Sequence, residues 1–347
     1  MAASARPIHL VGTVPMDSSA EVFTFVGSKL GDKLRRLPDG ETGVRHYWVT
    51  SQARVLHYHP AFEPADHDWT PESGTVPESR APKYRLKRGV DPKTLMIPSF
   101  GYGEFARESY QDFLAVKAAG KIAPGTRFQV CLPTPLAFFA GIVAPESREA
   151  VAPAMEARIA QDVNDILNAI PHDQLAIQWD ACLEIFIWEG ITEIFFTDPK
   201  QGCLDRLIAL GKLVPEPVEL GYHFCYGDFR HKHGVEPKDM QNMVTIANAI
   251  SAGLNRSLTW LHMPVPRDRD DDAYFAPLRH LAIPASTEIY LGLVHHTDGV
   301  DGTRRRMATA DRFLPRGYGI GTECGWGRRE RNTIPELMEI HARCANA

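Results

Sequence analysis

The chain has 347 residues, of which 44% are apolar and 23% charged, so it can bury a sizeable core and has an ordinary globular composition. A formal net charge of -5 argues against nucleic acid as a partner, because proteins that bind it present basic surfaces. No basic region precedes an apolar run at the N-terminus, and no segment approaches a membrane span, so we expect a cytoplasmic protein without a membrane partner.

Eight short apolar runs have the composition of β-strands, and helix-like segments lie between several of them. Strand followed by helix, repeated about eight times, is typical of an α/β protein with a (β/α)8 TIM barrel, here a single domain over 1–347. The predicted strands are 8–14, 34–38, 127–132, 175–179, 218–224, 258–262, 288–293 and 317–321, and the clearest predicted helices are 147–169, 241–252 and 332–345.

The segment 44–103 interrupts this pattern, because it is rich in Pro, His, Trp and Tyr and has no sustained period. Loops of this length in a compact domain are typically lids or contacts between subunits. We predict an irregular insertion of that kind, with undetected regular structure as the alternative. Homo-oligomerisation stays open.

In such a barrel the C-terminal ends of the strands form one mouth, where active sites lie. In this chain, residues that can bind a metal ion or transfer a proton follow most of the predicted strands. They are Asp39 and Glu41, then Asp180, then His223 and Cys225, then His262, then His295 and His296, and finally Cys324.

His223 and Cys225 are two apart on a predicted strand and therefore share a face, and Cys324 comes from a separate strand end. Imidazole and thiolate are ligands for a borderline-soft ion, and Zn2+ is the expected cofactor. His262 is a candidate fourth ligand. The alternatives are core packing for the cysteines and a surface hydrogen bond for His262.

Four acidic or aromatic residues are candidates for binding the substrate. Asp180 closes an apolar strand and could hold an amine or act as a base, or instead cap a helix. Asp39 and Glu41 could neutralise a cationic group, or simply form a turn around Gly40. Trp179 could contact a flat ligand or belong to the core.

His295 and His296 are the candidates for moving protons, because histidine titrates near neutral pH. Either could instead orient a metal ligand through a hydrogen bond. The sequence does not distinguish these two roles.

The ordered motifs resemble the C-terminal barrel of cobalamin-independent methionine synthase, within the superfamily that also contains uroporphyrinogen decarboxylase. The resemblance covers most of the chain apart from 44–103. It rests on Val-Gly-Thr-Val-Pro at 11–15, Asp-Gly-Glu at 39–41, Leu-Pro-Thr-Pro at 132–135, Ile-Gln-Trp-Asp at 177–180, His223-x-Cys225 and Cys324-Gly325.

The resemblance implies a zinc ion held by His223, Cys225 and Cys324, and a thiol substrate bound to it as thiolate. It places Asp180 where the family's aspartate holds the amino group of an amino-acid substrate. The implied activity is a zinc-dependent methyltransferase or alkyltransferase acting on small molecules.

The sequence departs from the family at three positions. His262 stands where the family has a zinc-binding glutamate, Thr322-Glu323 replaces proline-aspartate, and Asp180-Ala181-Cys182 replaces aspartate-glutamate-proline. Two other functions therefore stay open. One is a zinc-dependent lyase or hydrolase acting on a small aromatic or carbonyl substrate, and the other is a barrel that binds a small molecule without catalysis.

Overall fold

A computed structural model of the chain describes residues 5–65, 67–73, 81–228 and 232–346. Among these residues, none of the helices combines the length and the apolar character needed to cross a bilayer.

The centre of the molecule is a parallel sheet of seven strands, and two further strands form a small antiparallel sheet. In chain order the strands are β1 (Arg36–Pro38), β2 (Phe62–Pro64), β3 (Tyr84–Leu86), β4 (Arg127–Pro133), β5 (Leu175–Ala181), β6 (Glu219–Phe224), β7 (Trp260–Pro264), β8 (Glu288–Val294) and β9 (Gly319–Thr322). The large sheet has the order β1-β4-β5-β6-β7-β8-β9. Because every pair in it is parallel, all seven C-terminal ends point the same way.

Helices follow the strands of the large sheet, as an α/β fold requires. Several begin at a capping residue followed by proline: the Thr134 side chain accepts from Ala137 N, and Asp198 accepts from Gln201 N at 3.0 Å. The helices are α1 (Ser19–Leu30), α2 (Ala53–His57), α3 (Tyr102–Ala118), α4 (Pro135–Ile142), α5 (Arg148–Ala169), α6 (Leu183–Trp188), α7 (Pro199–Lys212), α8 (Gln241–Gly253), α9 (Asp272–Phe275), α10 (Gly299–Phe313) and α11 (Ile334–Ala345).

The prediction of a strand at 8–14 was wrong, and the sheet does not close into a full barrel ladder. Ile8 alone makes isolated parallel bridges, to Leu34 on one side and Ile320 on the other. After Ile8, side chains inside the sheet donate hydrogen bonds to the backbone carbonyls that a strand would use to pair with its neighbours. Gln129 Nε2 donates to Leu10 O at 3.0 Å, and Gln178 Nε2 donates to Val11 O at 2.6 Å.

The N-terminal ends of the strands are filled by a buried ion cluster. Arg36 is 3% exposed, pairs with Glu219 and Glu288, and stacks over the Trp260 ring at 4.2 Å. Trp260 in turn needs Gly221 beside it, because a Cβ there would lie 1.9 Å from the indole. This end of the sheet is therefore packed solid, as the stability face of such folds is.

The segment 44–103 contains regular structure only in short pieces where it is described. It holds the 3-10 helical stretch Gly43–Gln52, helix α2, the β2–β3 pair and the 3-10 turns Pro71–Ser73 and Pro92–Thr94 before α3 begins. Trp48 lies at its start with a φ of 50°, an uncommon conformation for a bulky side chain. The role of this segment as a lid or subunit contact stays a prediction.

Candidate metal centre

Three side chains predicted to be ligands meet at the C-terminal end of the sheet. The donor atoms of His223, Cys225 and Cys324 all lie within 4.8 Å of one another. The two sulfur atoms are 3.8 Å apart. One nitrogen and two sulfurs are the donor set of a borderline-soft ion such as zinc.

Cys324 is positioned by contacts that fix the turn after β9. Thr322 Oγ1 donates to Cys324 O at 2.7 Å and accepts from Trp326 Nε1 at 3.0 Å. Trp326 N donates to Thr13 O at 2.6 Å. A side chain at Gly325 would place its Cβ 2.1 Å from Thr13 Oγ1, so the glycine permits this close approach.

His223 is held by the neighbouring strand. It is paired in register with His262, and the two Nδ1 atoms are 2.8 Å apart, so one ring donates to the other. Burial lowers the pKa of both imidazoles, that of His262 to about 3. Both rings are therefore neutral near pH 7, as metal binding requires of a histidine. His223 Nε2 is buried and has no hydrogen-bond partner among the described residues.

His262 itself does not join the group of three donor residues. Its Nδ1 is occupied by His223, and its side chain is fully buried beside that ring. This contact fixes the orientation of the His223 ring, while His262 Nε2 has no hydrogen-bond partner among the described residues.

Cys225 is held by its own backbone turn and by the adjacent strand. Gly227 N donates to Cys225 Sγ at 3.3 Å, and Cys225 N donates to Ala181 O at 3.2 Å. The neighbouring Cys182 thiol and burial raise the pKa of Cys225. The contact between Cys324 and Cys225, together with burial, raises the pKa of Cys324. Both thiols are thus neutral by themselves, and a bound divalent cation is what would ionise them. The orphaned His223 nitrogen and these thiols fit such a cation.

A cavity of about 80 Å³ adjoins the three donors, and the buried carboxyl groups of Glu41 and Asp180 also line it. Burial raises the pKa of Glu41 to about 8. Burial and the nearby Glu41 charge raise the pKa of Asp180, whose Oδ1 accepts from Gln178 Nε2 at 2.9 Å. Near neutral pH these two groups therefore retain a proton that a ligand could share.

Asp39 does not line this cavity. It contacts Glu41, which does. Its carboxylate accepts from Glu41 N at 2.9 Å and from Ser109 Oγ at 2.8 Å, and it pairs with Arg45 at 2.8 Å. These contacts hold Glu41 at a φ of 47°, a strained conformation of the kind found at functional sites.

Trp179 lies on the other face of β5 from Asp180, because side chains alternate along a strand. It is fully buried within the hydrophobic core. It lines neither this cavity nor the larger one beside it.

A second cavity of about 500 Å³ shares Cys225 and Cys324 with the first, and its lining includes both acidic and basic side chains. His295 Nε2 donates to Val265 O at 2.9 Å, and its Nδ1 lies 3.6 Å from Glu323. Arg329 also lines this cavity, and within the described ranges its guanidinium has no hydrogen bond or ion pair. Burial lowers the pKa of Arg329, so an anionic ligand group would stabilise it.

His296 is not brought to either cavity. Its Nε2 lies 3.0 Å from Glu336 of α11, on the outer side of the sheet.

One residue at this mouth, Cys182, was missed as a candidate in the sequence. It follows Asp180 by two positions, and this same-face spacing was an available signal. Arg329 belongs to a run of arginines that is typical of a solvated surface, with anion binding as the alternative interpretation. Its role depends on how the turn after β9 folds back over the cavity.

No family model and no curated protein matches the chain. Solved structures do match it. A B12-independent methionine synthase from Shewanella sp. W3-18-1, solved in complex with selenomethionine, has a TM-score of 0.63 at 12% identity, over 99% of this chain and 97% of that one. A candidate vitamin-B12-independent methionine synthase from Listeria monocytogenes has a TM-score of 0.52 at 14% identity, over 94% and 86%. The chain thus has a methionine synthase-like fold.

Proposed function

We propose that the protein is a zinc-dependent transferase that moves a methyl or larger alkyl group to or from a thiol. The observation that carries the proposal is the convergence of His223, Cys225 and Cys324, with an unpartnered imidazole nitrogen, at the C-terminal ends of parallel strands. The likeness in fold to methionine synthase structures supports it. We further infer a TIM-like barrel whose eighth position is the segment around Ile8.

His223, Cys225 and Cys324 would hold the metal. When bound there, a zinc ion supplies a positive charge that keeps a thiol ionised at neutral pH while its sulfur stays nucleophilic. In the transfer, that sulfur forms a bond to the alkyl carbon as the bond from this carbon to the donor breaks. The donor's leaving atom keeps the electron pair and takes up a proton.

The chain's own residues would place the two reactants on either side of the sulfur cluster. Asp180 and Glu41 line the smaller cavity and hold a proton there, so they can bind an amino group of the thiol substrate or exchange a proton with it. The larger cavity would take the alkyl donor. His295 and Arg329 line it. Asp228 and Glu323 lie near the Arg329 guanidinium, but among the described residues it makes no hydrogen bond or ion pair, which favours a donor that carries an anionic group.

Zinc content and thiol alkylation of the purified protein test the proposal. We expect one zinc per chain in the wild type and in Cys131→Ser, a control whose serine can keep the hydrogen bond that Cys131 donates to Val11 O. Cys225→Ser and Cys324→Ser should lose zinc and turnover together. Wild-type protein that folds but retains no zinc, or that turns over donors without a thiol, would contradict the proposal.

The same assay tests the placement of the donor. Arg329→Gln should raise the KM for an anionic alkyl donor about tenfold with little change in kcat, because a charge-assisted contact of about 1.4 kcal/mol is removed from both ground and transition states. An unchanged KM would rule out this guanidinium as the anion-binding group.

A further inference from the structure

A third cysteine lies beside the candidate metal centre, placed there by the register of two parallel strands. Asp180 on β5 is paired with His223 on β6, and Ala181 with Phe224. The next position brings Cys182 next to Cys225, where Cys225 N still donates to Ala181 O at 3.2 Å. Adjacent residues in register point to the same face, and both cysteines line the smaller cavity.

Cys182 is built into this wall with its thiol turned toward the cluster. It is 8% exposed, and its thiol interacts with that of Cys225. Within the described part of the chain, its sulfur makes no other hydrogen bond. It therefore has no structural partner apart from the candidate metal ligands.

Zinc in proteins is almost always four-coordinate, and the three donor residues leave one position. His262 does not fill it, because its Nδ1 is engaged by His223 and its Nε2 is buried against Gly321 of β9. Glu41 and Asp180 are oxygen donors that face the same cavity, but a site that already has two sulfurs favours a soft third one. Cys182 supplies that donor next to Cys225.

We propose that Cys182 is the fourth protein ligand of the metal when no thiol substrate is present, and that the substrate's sulfur replaces it. This inference rests on the proposed function. Its sulfur lies outside the group of three donors that are within 4.8 Å of one another, so binding requires its side chain to move toward them. In the exchange the incoming thiol gives its proton to the departing Cys182 thiolate, so charge and protons balance without an external base.

Cobalt substitution tests this in the full-length protein. Each thiolate bound to Co2+ adds to the near-ultraviolet charge-transfer band, so the band per bound cobalt reports the number of sulfurs. We expect three thiolates in the wild type under reducing conditions and two in Cys182→Ser and Cys182→Ala, a fall of about a third. The control Cys131→Ser replaces a buried thiol that is hydrogen-bonded to Val11 O, and it should match the wild type.

Addition of ethanethiol separates the alternatives without relying on a variant alone. In the wild type one thiolate replaces another, so the band should stay constant, whereas in Cys182→Ser it should rise by about half as a third thiolate enters. If the wild type starts at two thiolates and rises on addition of ethanethiol as Cys182→Ser does, Cys182 is not a ligand, although the proposed function stands. If no variant and no wild-type protein binds cobalt at these cysteines, the proposed function fails instead.

Discussion

The hydrogen bond between His223 and His262 decides which ring nitrogen of His223 is left free. With the two Nδ1 atoms 2.8 Å apart, Nε2 is the nitrogen without a partner in the described structure. A hydrogen bond of this kind fixes the tautomer and the orientation of a metal-binding imidazole, and its loss usually weakens metal binding without abolishing it.

Removal of this bond should therefore loosen the metal. We expect His262→Ala to lower zinc affinity about 10- to 100-fold, because His223 loses the partner that fixes its ring. Competition with a chromophoric chelator measures this. The matched control is His296→Gln, since His296 contacts Glu336 outside both cavities. Equal affinities for the wild type and His262→Ala would show that His262 does not orient the ligand.

At this scale the sequence predicted which residues would meet, but not how they would interact. His223, Cys225 and Cys324 could be placed from strand spacing alone. The turn of the His262 ring toward His223 depends on burial and on the register of β6 and β7, neither of which a single sequence displays. The contact of Asp39 with Ser109 could not be predicted either, because it joins residues 70 positions apart in the chain.

At the scale of elements, the turns after β6 and β9 are joined across the larger cavity by an ion pair. His233 Nε2 lies 3.1 Å from Glu323 Oε1, and its Nδ1 lies 3.1 Å from Glu236. Burial alone would lower the pKa of His233, but these two carboxylates raise it from the ordinary histidine value of 6.5 to about 9. The folded state therefore binds a proton here more tightly than the unfolded chain does.

This difference makes stability depend on pH. The stabilisation by His233 should be fully present below about pH 6.5 and should be lost as pH rises through about 9. We expect the difference in Tm between the wild type and His233→Gln to shrink over that window in differential scanning calorimetry. A difference that is the same at pH 6 and pH 10 would show that the pair does not link the two turns.

Most elements could be predicted from local patterns, because apolar runs and helical periodicity determine them directly. The helix predicted at 147–169 is α5 (Arg148–Ala169), and that at 241–252 is α8 (Gln241–Gly253). The strand predicted at 8–14 failed because Gln129 and Gln178 take its carbonyls from inside the sheet. Such competition between side chains and a ladder is tertiary and leaves no local signal.

For the whole molecule, parallel topology is what turns scattered residues into a candidate site. Seven strands whose C-terminal ends face one way bring residues 41, 180, 223, 225 and 324 to adjoining positions around one cavity. The opposite end is closed by the ion cluster at Arg36. The sequence could predict that the candidate site lies at the C-terminal ends of the strands and that their N-terminal ends are packed, because both follow from the alternation of strands and helices.

X-ray absorption at the zinc edge, on protein purified without chelators, tests the central claim most directly. Our account predicts one zinc per chain with at least one nitrogen neighbour at about 2.0 Å and at least two sulfur neighbours at about 2.3 Å. Protein that is folded by circular dichroism yet contains no zinc, or whose zinc has only oxygen and nitrogen neighbours, would contradict it.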